Sequence, residues 1–182
     1  MKKYSTFIAL GFIFIFAIIT SCEKDQSGKE AEPEPLGDYV KFKVDGVEKL
    51  LTYTDGVKFI TNYAGHLMSA QVSKDRNPYP LIQLYFSNTK MIFNKNLVIT
   101  NKIPSDTLGY MLYNEGENYL NEYRSLDAKA SKLGNTDFVF TLTDRTDSHV
   151  SGTFSGSFYN FKDGIQTKKI ITEGKFHLKI VL

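Results

Sequence analysis

Val150-Ser151-Gly152-Thr153-Phe154-Ser155-Gly156-Ser157-Phe158-Tyr159 is the stretch of sequence that indicates the fold most clearly. Small polar residues alternate along it with apolar residues and glycine, a pattern typical of a β-strand with one buried face. It is followed by the turn dipeptide Asp163-Gly164, a strand over 169–172, a second turn at Gly174 and a strand over 175–182. We therefore predict several antiparallel strands in this third of the chain.

The same period of two begins at residue 39. Val40, Phe42 and Val44 alternate with more polar residues before Asp45-Gly46, a dipeptide favoured in type I′ hairpins because both central residues need positive φ. Further strands are predicted over 47–53, 57–63, 67–72, 81–86, 97–100, 110–113 and 138–143. Short strands at this spacing predict one all-β, mainly antiparallel domain over residues 38–182, either a β-sandwich or a barrel-like fold.

One stretch departs from this pattern. Leu120, Tyr123, Leu126, Ala130 and Leu133 recur at intervals of three and four residues, and no proline interrupts them. This spacing favours one short helix over about 118–133. An edge strand followed by a loop is the alternative.

The amino-terminal residues have the pattern of an export signal. Lys2 and Lys3 precede an apolar run over 7–19, which ends at Thr20, Ser21 and Cys22. A membrane-spanning helix needs about 20 apolar residues, so this run is too short for the usual span but long enough for a signal peptide. We expect residues 1–21 to be a cleaved signal peptide.

Ile19-Thr20-Ser21-Cys22 resembles the lipobox of bacterial lipoproteins. The resemblance implies that the Cys22 thiol receives a diacylglyceryl group and that cleavage occurs just before this residue. Lipidation would also explain a lone cysteine in an exported chain, where a free thiol is reactive. The alternatives are an ordinary signal peptide cut nearby and an uncleaved anchor.

Residues 22–37 are expected to form the lipidated end and a flexible acidic tether, because they carry Pro, Glu, Gly and Ser without apolar periodicity. Within them, Glu23-Lys24-Asp25-Gln26 resembles the charged export signal behind the lipidated cysteine of Bacteroidota surface lipoproteins. That resemblance implies an outer-membrane lipoprotein that faces the medium.

The domain also resembles a group of uncharacterised Bacteroidota lipoproteins. The likeness is sharpest in the Ser-Gly-Thr-Phe strand that begins at Ser151 and in Gly174-Lys175-Phe176. It implies a β-sandwich-like domain and supplies no catalytic residue.

Charge and composition argue against several functions. The chain has 22 basic and 20 acidic side chains, and loss of Lys2 and Lys3 would leave 20 of each. This balance lacks the basic excess of a nucleic-acid-binding domain, so no nucleic-acid partner is expected. One cysteine and three scattered histidines, His66, His149 and His177, do not have the spacing of a metal site.

Candidate catalytic residues are equally sparse. Ser155 does not fit the Gly-X-Ser-X-Gly pattern of a nucleophile elbow and is interpreted as a strand residue. Asp144, Asp147 and Ser148 lack calcium-loop spacing and are interpreted as turn residues. The remaining candidates are carboxylates, and tyrosines that we expect to be exposed, which could contact a sugar: Glu115, Glu117, Glu122, Tyr110, Tyr113, Tyr119 and Tyr123.

We therefore expect a non-enzymatic binding or accessory module, anchored in the membrane by acyl chains on Cys22. Its ligand would be a glycan or a protein, and no catalytic residue, metal or cofactor is assigned. The alternatives are a small extracellular glycan-active hydrolase and a calycin-like binder of apolar ligands.

Overall fold

The computed structural model describes residues 34–62, 65–76, 78–88, 93–100, 107–117, 121–125 and 137–181. Their regular structure is a set of twelve β-strands, and all but one of the strand pairings are antiparallel. The predicted all-β, mainly antiparallel class is confirmed. The strands are β1 (Tyr39–Val44), β2 (Val47–Leu51), β3 (Tyr53–Thr54), β4 (Val57–Asn62), β5 (Gly65–Ser73), β6 (Leu81–Asn88), β7 (Val98–Thr100), β8 (Thr107–Asn114), β9 (Glu122–Arg124), β10 (Val139–Arg145), β11 (His149–Lys162) and β12 (Ile165–Val181).

A long hairpin of β11 and β12 organises the domain. The two strands pair from His149 and Lys179 at one end to Lys162 and Ile165 at the other. Their turn has positive φ at both central residues, 50° at Asp163 and 79° at Gly164, as a type I′ turn requires. The predicted Asp163-Gly164 turn is therefore confirmed.

The first hairpin, β1–β2, uses the same turn chemistry. Asp45 has φ 49° and Gly46 has φ 83°, and Val44 pairs with Val47 across the turn. Val40, Phe42 and Val44 are buried as the alternation predicts. β1 then pairs with β12, which joins the beginning of the domain to its last described strand.

The strand pairings form a ring. Its order is β12, β4, β5, β6, β8, β9 and β11, and the pairing of β11 with β12 closes it. Two of its links are short: β12 meets β4 in parallel at Ile180 and Val181, and β9 meets β11 at Tyr159. β1 and β2 extend from β12, whereas β10 and β7 extend from β11. The pairings thus close into a ring within the predicted class of a β-sandwich or barrel-like domain.

Aromatic rings fill much of the hydrophobic core. Phe140 stacks on Phe176 with centroids 5.3 Å apart and planes 9° apart, and Phe86 lies 4.7 Å from Phe140. Gly152 faces this cluster, and a Cβ at this position would overlap the ring of Phe176. The glycine of the Ser-Gly-Thr-Phe segment thus makes room for an aromatic core.

A β-bulge in β12 replaces the turn that we predicted at Gly174. Between the pairs Phe154–Gly174 and Gly156–Ile171, β11 contributes one residue and β12 contributes two, Thr172 and Glu173. Glu173 takes φ 53° there. The prediction of a turn is wrong because the extra residue is absorbed within one continuous strand, which shifts its side-chain alternation by one position.

The helix that we predicted over about 118–133 is wrong for residues 122–124. Glu122–Arg124 form β9, which pairs with β8 through Tyr113 and Tyr123. Cross-strand pairing prevails over the three- and four-residue spacing here, so the strand alternative is correct for these residues, although β9 pairs on both sides and is not an edge strand. Residues 118–120 and 126–133 lie outside the described part of the chain. No helix within the described ranges is long and apolar enough to cross a membrane.

Candidate functional site

A second β-bulge turns Arg145 toward the interior of the ring. The pairing of β10 with β11 shifts between Leu142 and Asp144, and Arg145 then lies opposite the fully buried Val150. Directly paired residues of antiparallel strands share a face of the sheet. Without the shift, the alternation that buries Leu142 would turn Arg145 toward solvent.

Arg145 borders a pocket of about 240 Å³. β4 and β5 supply most of its wall, the segment before β7 supplies another part, and Arg145 comes from the end of β10. The pocket thus combines apolar surface with a few polar groups, as ligand sites commonly do. The lining residues are Phe59, Ile60, Thr61, His66, Leu67, Phe93, Asn94 and Arg145.

The guanidinium of Arg145 is held by two aromatic residues. Its Nη1 donates a hydrogen bond to the carbonyl oxygen of Phe93, and its Cζ lies 4.1 Å from the ring centroid of Phe59. The two phenyl rings are themselves 6.0 Å apart. Among the described residues, no carboxylate lies within ion-pair distance of Arg145. The pocket therefore carries a positive charge that no described protein anion balances.

Thr61 and His66 add polar groups to the same pocket. They lie opposite each other on β4 and β5, with Thr61 Oγ1 3.0 Å from His66 Nδ1. A hydroxyl beside an imidazole is also part of a nucleophilic site, but such a site needs a third group that orients the imidazole. No described carboxylate contacts His66, so the pair is suited to ligand hydrogen bonding.

The other two histidines form a pair on the outer face of β11 and β12. The rings of His149 and His177 stack with centroids 4.8 Å apart and planes 10° apart. Each Nδ1 contacts a serine hydroxyl, from Ser148 at 3.0 Å and from Ser151 at 2.8 Å respectively. In the described residues, no three His, Cys, Asp or Glu side chains are grouped as metal ligands.

A cluster of ionised side chains lies beside Tyr113. Lys169 Nζ is 3.3 Å from Asp45 Oδ2 and 3.4 Å from Glu115 Oε1, and it lies 5.8 Å from the ring centroid of Tyr123. Partial burial lowers the pKa of Lys169, but the hydrogen bond to Asp45 and the charge of Glu115 outweigh it and raise that pKa above its ordinary value. The ammonium group is therefore a stable charge that holds the cluster together.

The carboxylates proposed from the sequence contact different partners rather than one another. Glu115 accepts a hydrogen bond from the phenol of Tyr113 at 3.3 Å and also pairs with Lys169. Glu122 pairs with Arg124 at 2.6 Å. Glu117 is exposed. The sequence-derived acid/base pairs therefore do not form one described site.

The tyrosines also differ from one another in exposure. The expected exposure of Tyr113 is wrong: this side chain is fully buried, because it lies on the core-facing side of β8. Tyr110 stacks on Tyr85 across β6 and β8, with centroids 5.4 Å apart. Tyr123 is half-buried, and Tyr119 lies outside the described residues.

Other sequence-derived residues have simple structural roles or are not described. Ser155 is part of β11, as predicted. The interpretation of Asp144 as a turn residue is wrong, because it continues the pairing of β10 with β11 and its side chain pairs with Lys95 at 3.3 Å. Asp147 and Ser148 lie between β10 and β11, as their interpretation as turn residues requires. Cys22, the charged segment 23–26 and the signal peptide 1–21 lie outside the described residues.

Comparisons with protein-family models, curated proteins and solved structures found no significant match. The function of the pocket is therefore inferred from its own chemistry. The sequence did not indicate the main residues of the pocket, Arg145, Phe59 and Phe93. Arg145 is 52 residues from Phe93 and still farther from Phe59, and the three residues share no motif. A single arginine two residues after the predicted strand 138–143 was the only local signal.

Proposed function

We propose that this protein is a lipid-anchored binding module on the outer membrane, displayed toward the medium. The sequence supports the anchor through the export signal and the lipobox-like Ile19-Thr20-Ser21-Cys22. Two acyl chains on Cys22 would add about 0.8 kcal/mol per buried methylene, which is enough for stable attachment. The charged segment 23–26 supports surface display, and the tether up to residue 37 would hold the domain away from the lipid.

The pocket at Arg145 is the observation that supports a binding role. It places one cation and several hydrogen-bonding groups against phenyl rings, a combination suited to holding and orienting a small ligand. The described residues that line it include no carboxylate or thiol for acid/base or nucleophilic chemistry. Binding therefore accounts for the geometry better than turnover does.

Replacement of the cysteine tests the anchor. In cells that express the full chain, Cys22→Ala should move the protein from the membrane fraction to the soluble exported fraction, whereas the control Ser27→Ala should leave it in the membrane. Mass spectrometry of the unchanged protein should show two or three acyl chains on residue 22. Full membrane retention of the Cys22→Ala protein would refute the lipid anchor.

Protease treatment of intact cells tests the surface display. The unchanged protein should be digested from outside, and alanine substitution of residues 23–26 should protect it while the membrane fraction still contains it. Protection of the unchanged protein would place it on the inner side. Release of product from a glycan by the purified chain would instead support the hydrolase alternative.

A further inference from the structure

We propose that the pocket at Arg145 binds a small carboxylate that carries a compact apolar group. This inference rests on the binding role proposed above and specifies its ligand class. It depends on three properties of the pocket, namely its unbalanced charge, its apolar wall and its size.

The charge favours an anion. Arg145 has five N–H donors in a planar fork, and one of them is used by the Phe93 carbonyl oxygen. Its Cζ lies over the ring of Phe59, a contact that uses none of the N–H groups, so the other donors remain available for a ligand. A carboxylate can accept two parallel hydrogen bonds from such an edge, and these charge-assisted bonds are stronger than neutral ones.

The wall favours an apolar group next to that carboxylate. Phe59 and Leu67 are half-buried, and Ile60 is 44% exposed, so a ligand that covers them removes apolar surface from water. A fully polar anion such as sulfate would gain the charge interaction but no such burial. The site therefore distinguishes an apolar acid from an inorganic anion.

The volume limits the size of the ligand. About 240 Å³ corresponds to roughly eight water molecules at their volume in the liquid. It is also below the roughly 300–1,000 Å³ of pockets for drug-sized ligands. A monocarboxylic acid with one ring fits this space, whereas a polysaccharide segment or a folded protein could insert only one group.

The rim offers further hydrogen-bonding groups for a second polar substituent. The Thr61 hydroxyl, the His66 imidazole and the Asn94 amide all line the pocket. His66 uses Nδ1 for Thr61, which leaves Nε2 for a ligand. A hydroxyl or amide substituent on the acid would therefore increase its affinity.

Calorimetry with phenylacetate as the probe tests this inference on the full chain in mild detergent. We expect phenylacetate to bind at least tenfold more tightly than phenylacetamide, which has the same shape without the charge, and more tightly than acetate, which lacks the ring. Backbone amide signals of Thr61, His66 and Arg145 should shift in NMR spectra during the same titration. Equal affinity for the acid and the amide would overturn the proposal.

Substitution of two different arginines provides the test variant and its control. Arg145→Met should weaken phenylacetate binding at least tenfold. Arg124→Met should not, although Arg124 also lies over a ring, 5.2 Å from the centroid of Tyr110, because Glu122 neutralises it outside the pocket. The comparison of acid with amide uses the unchanged chain, so it decides the question even if Arg145→Met fails to fold. Failure of the unchanged chain to bind phenylacetate, with the Cys22 anchor intact, would refute the ligand class alone.

Discussion

At the scale of the residue, Tyr113 shows how the core accommodates a polar group. Its side chain is fully buried, its ring meets Phe42 edge-on at 5.6 Å, and its hydroxyl reaches Glu115. Burial, followed by the negative charge of Glu115, raises the pKa of Tyr113 well above its ordinary value. The phenol therefore stays protonated in the folded protein when an exposed tyrosine would ionise.

This raised pKa predicts a pH dependence of stability. The unfolded chain loses the Tyr113 proton near pH 10, whereas the folded chain retains it, so the stabilisation is complete below about pH 10 and is lost as the pH rises toward the folded-state pKa. Between pH 9 and 11, the free energy of unfolding should fall by about 1 kcal/mol more in the unchanged protein than in Tyr113→Phe. Urea titrations at each pH measure the difference. Tyr85→Phe, on the outer face, is the control, and equal slopes for the unchanged protein and Tyr113→Phe would contradict the prediction.

At the scale of the element, the two β-bulges determine where the charged side chains lie. Each changes the side-chain alternation of its strand by one position. Arg145 then shares the inner face with Val150, and Lys169 shares it with Phe158. The resulting cation positions are separated along β11 by eight residues, or roughly 26 Å at 3.3 Å per residue.

The bulge in β12 predicts an unusual order of stabilities at residue 173. Glu173 has φ 53°, a conformation that glycine adopts freely and a β-branched residue does not. Its ion pair with Lys43 is largely exposed and contributes less than about 1 kcal/mol. Urea unfolding should therefore show Glu173→Gly to be at least as stable as the unchanged protein and Glu173→Val to be less stable by about 1–2 kcal/mol. Equal stability of the two variants would show that the bulge is not maintained.

These elements also show how far the sequence could predict the structure. Asp45-Gly46 and Asp163-Gly164 predict their hairpins because the turn needs residues that tolerate positive φ, a local requirement. The bulges have no such local code, since Glu173 and Thr143 differ little from other polar strand residues. The pocket at Arg145 was not predictable for the same reason, because Arg145 reaches Phe59 only after a shift in register that tertiary pairing decides.

At the scale of the whole molecule, the ring depends on a short parallel link. Ile180 and Val181 pair with Val57 and Lys58, and the side chain of Ile180 packs against the core. Deletion of residues 180–182 should therefore open the β4–β12 contact and lower the free energy of unfolding by about 1 kcal/mol, because Ile180 is only partly buried and full burial of such a side chain contributes about 1.5–3 kcal/mol. Hydrogen exchange should accelerate at the amides of Val57 and Lys58.

A surface change provides the matched control for that deletion. Ile165 is 65% exposed at the turn of the β11–β12 hairpin, so Ile165→Thr removes an apolar side chain without opening the ring. In the Ile165→Thr protein, the amide hydrogens of Val57 and Lys58 should exchange at the same rates as in the unchanged protein. Unaltered exchange after the deletion would mean that the parallel link does not close the ring.

The pairing of β1 with β12 has a consequence for the time at which the domain folds. Lys43 and Glu173, which form an ion pair across these strands, are 130 residues apart in sequence. A ribosome makes β1 long before β12. Although β1 can pair with β2 at once, its pairing with β12 cannot form until nearly the whole domain has been synthesised. Until then the nascent polypeptide lacks the contacts that complete its core, so we expect the domain to fold only after β12 has been synthesised.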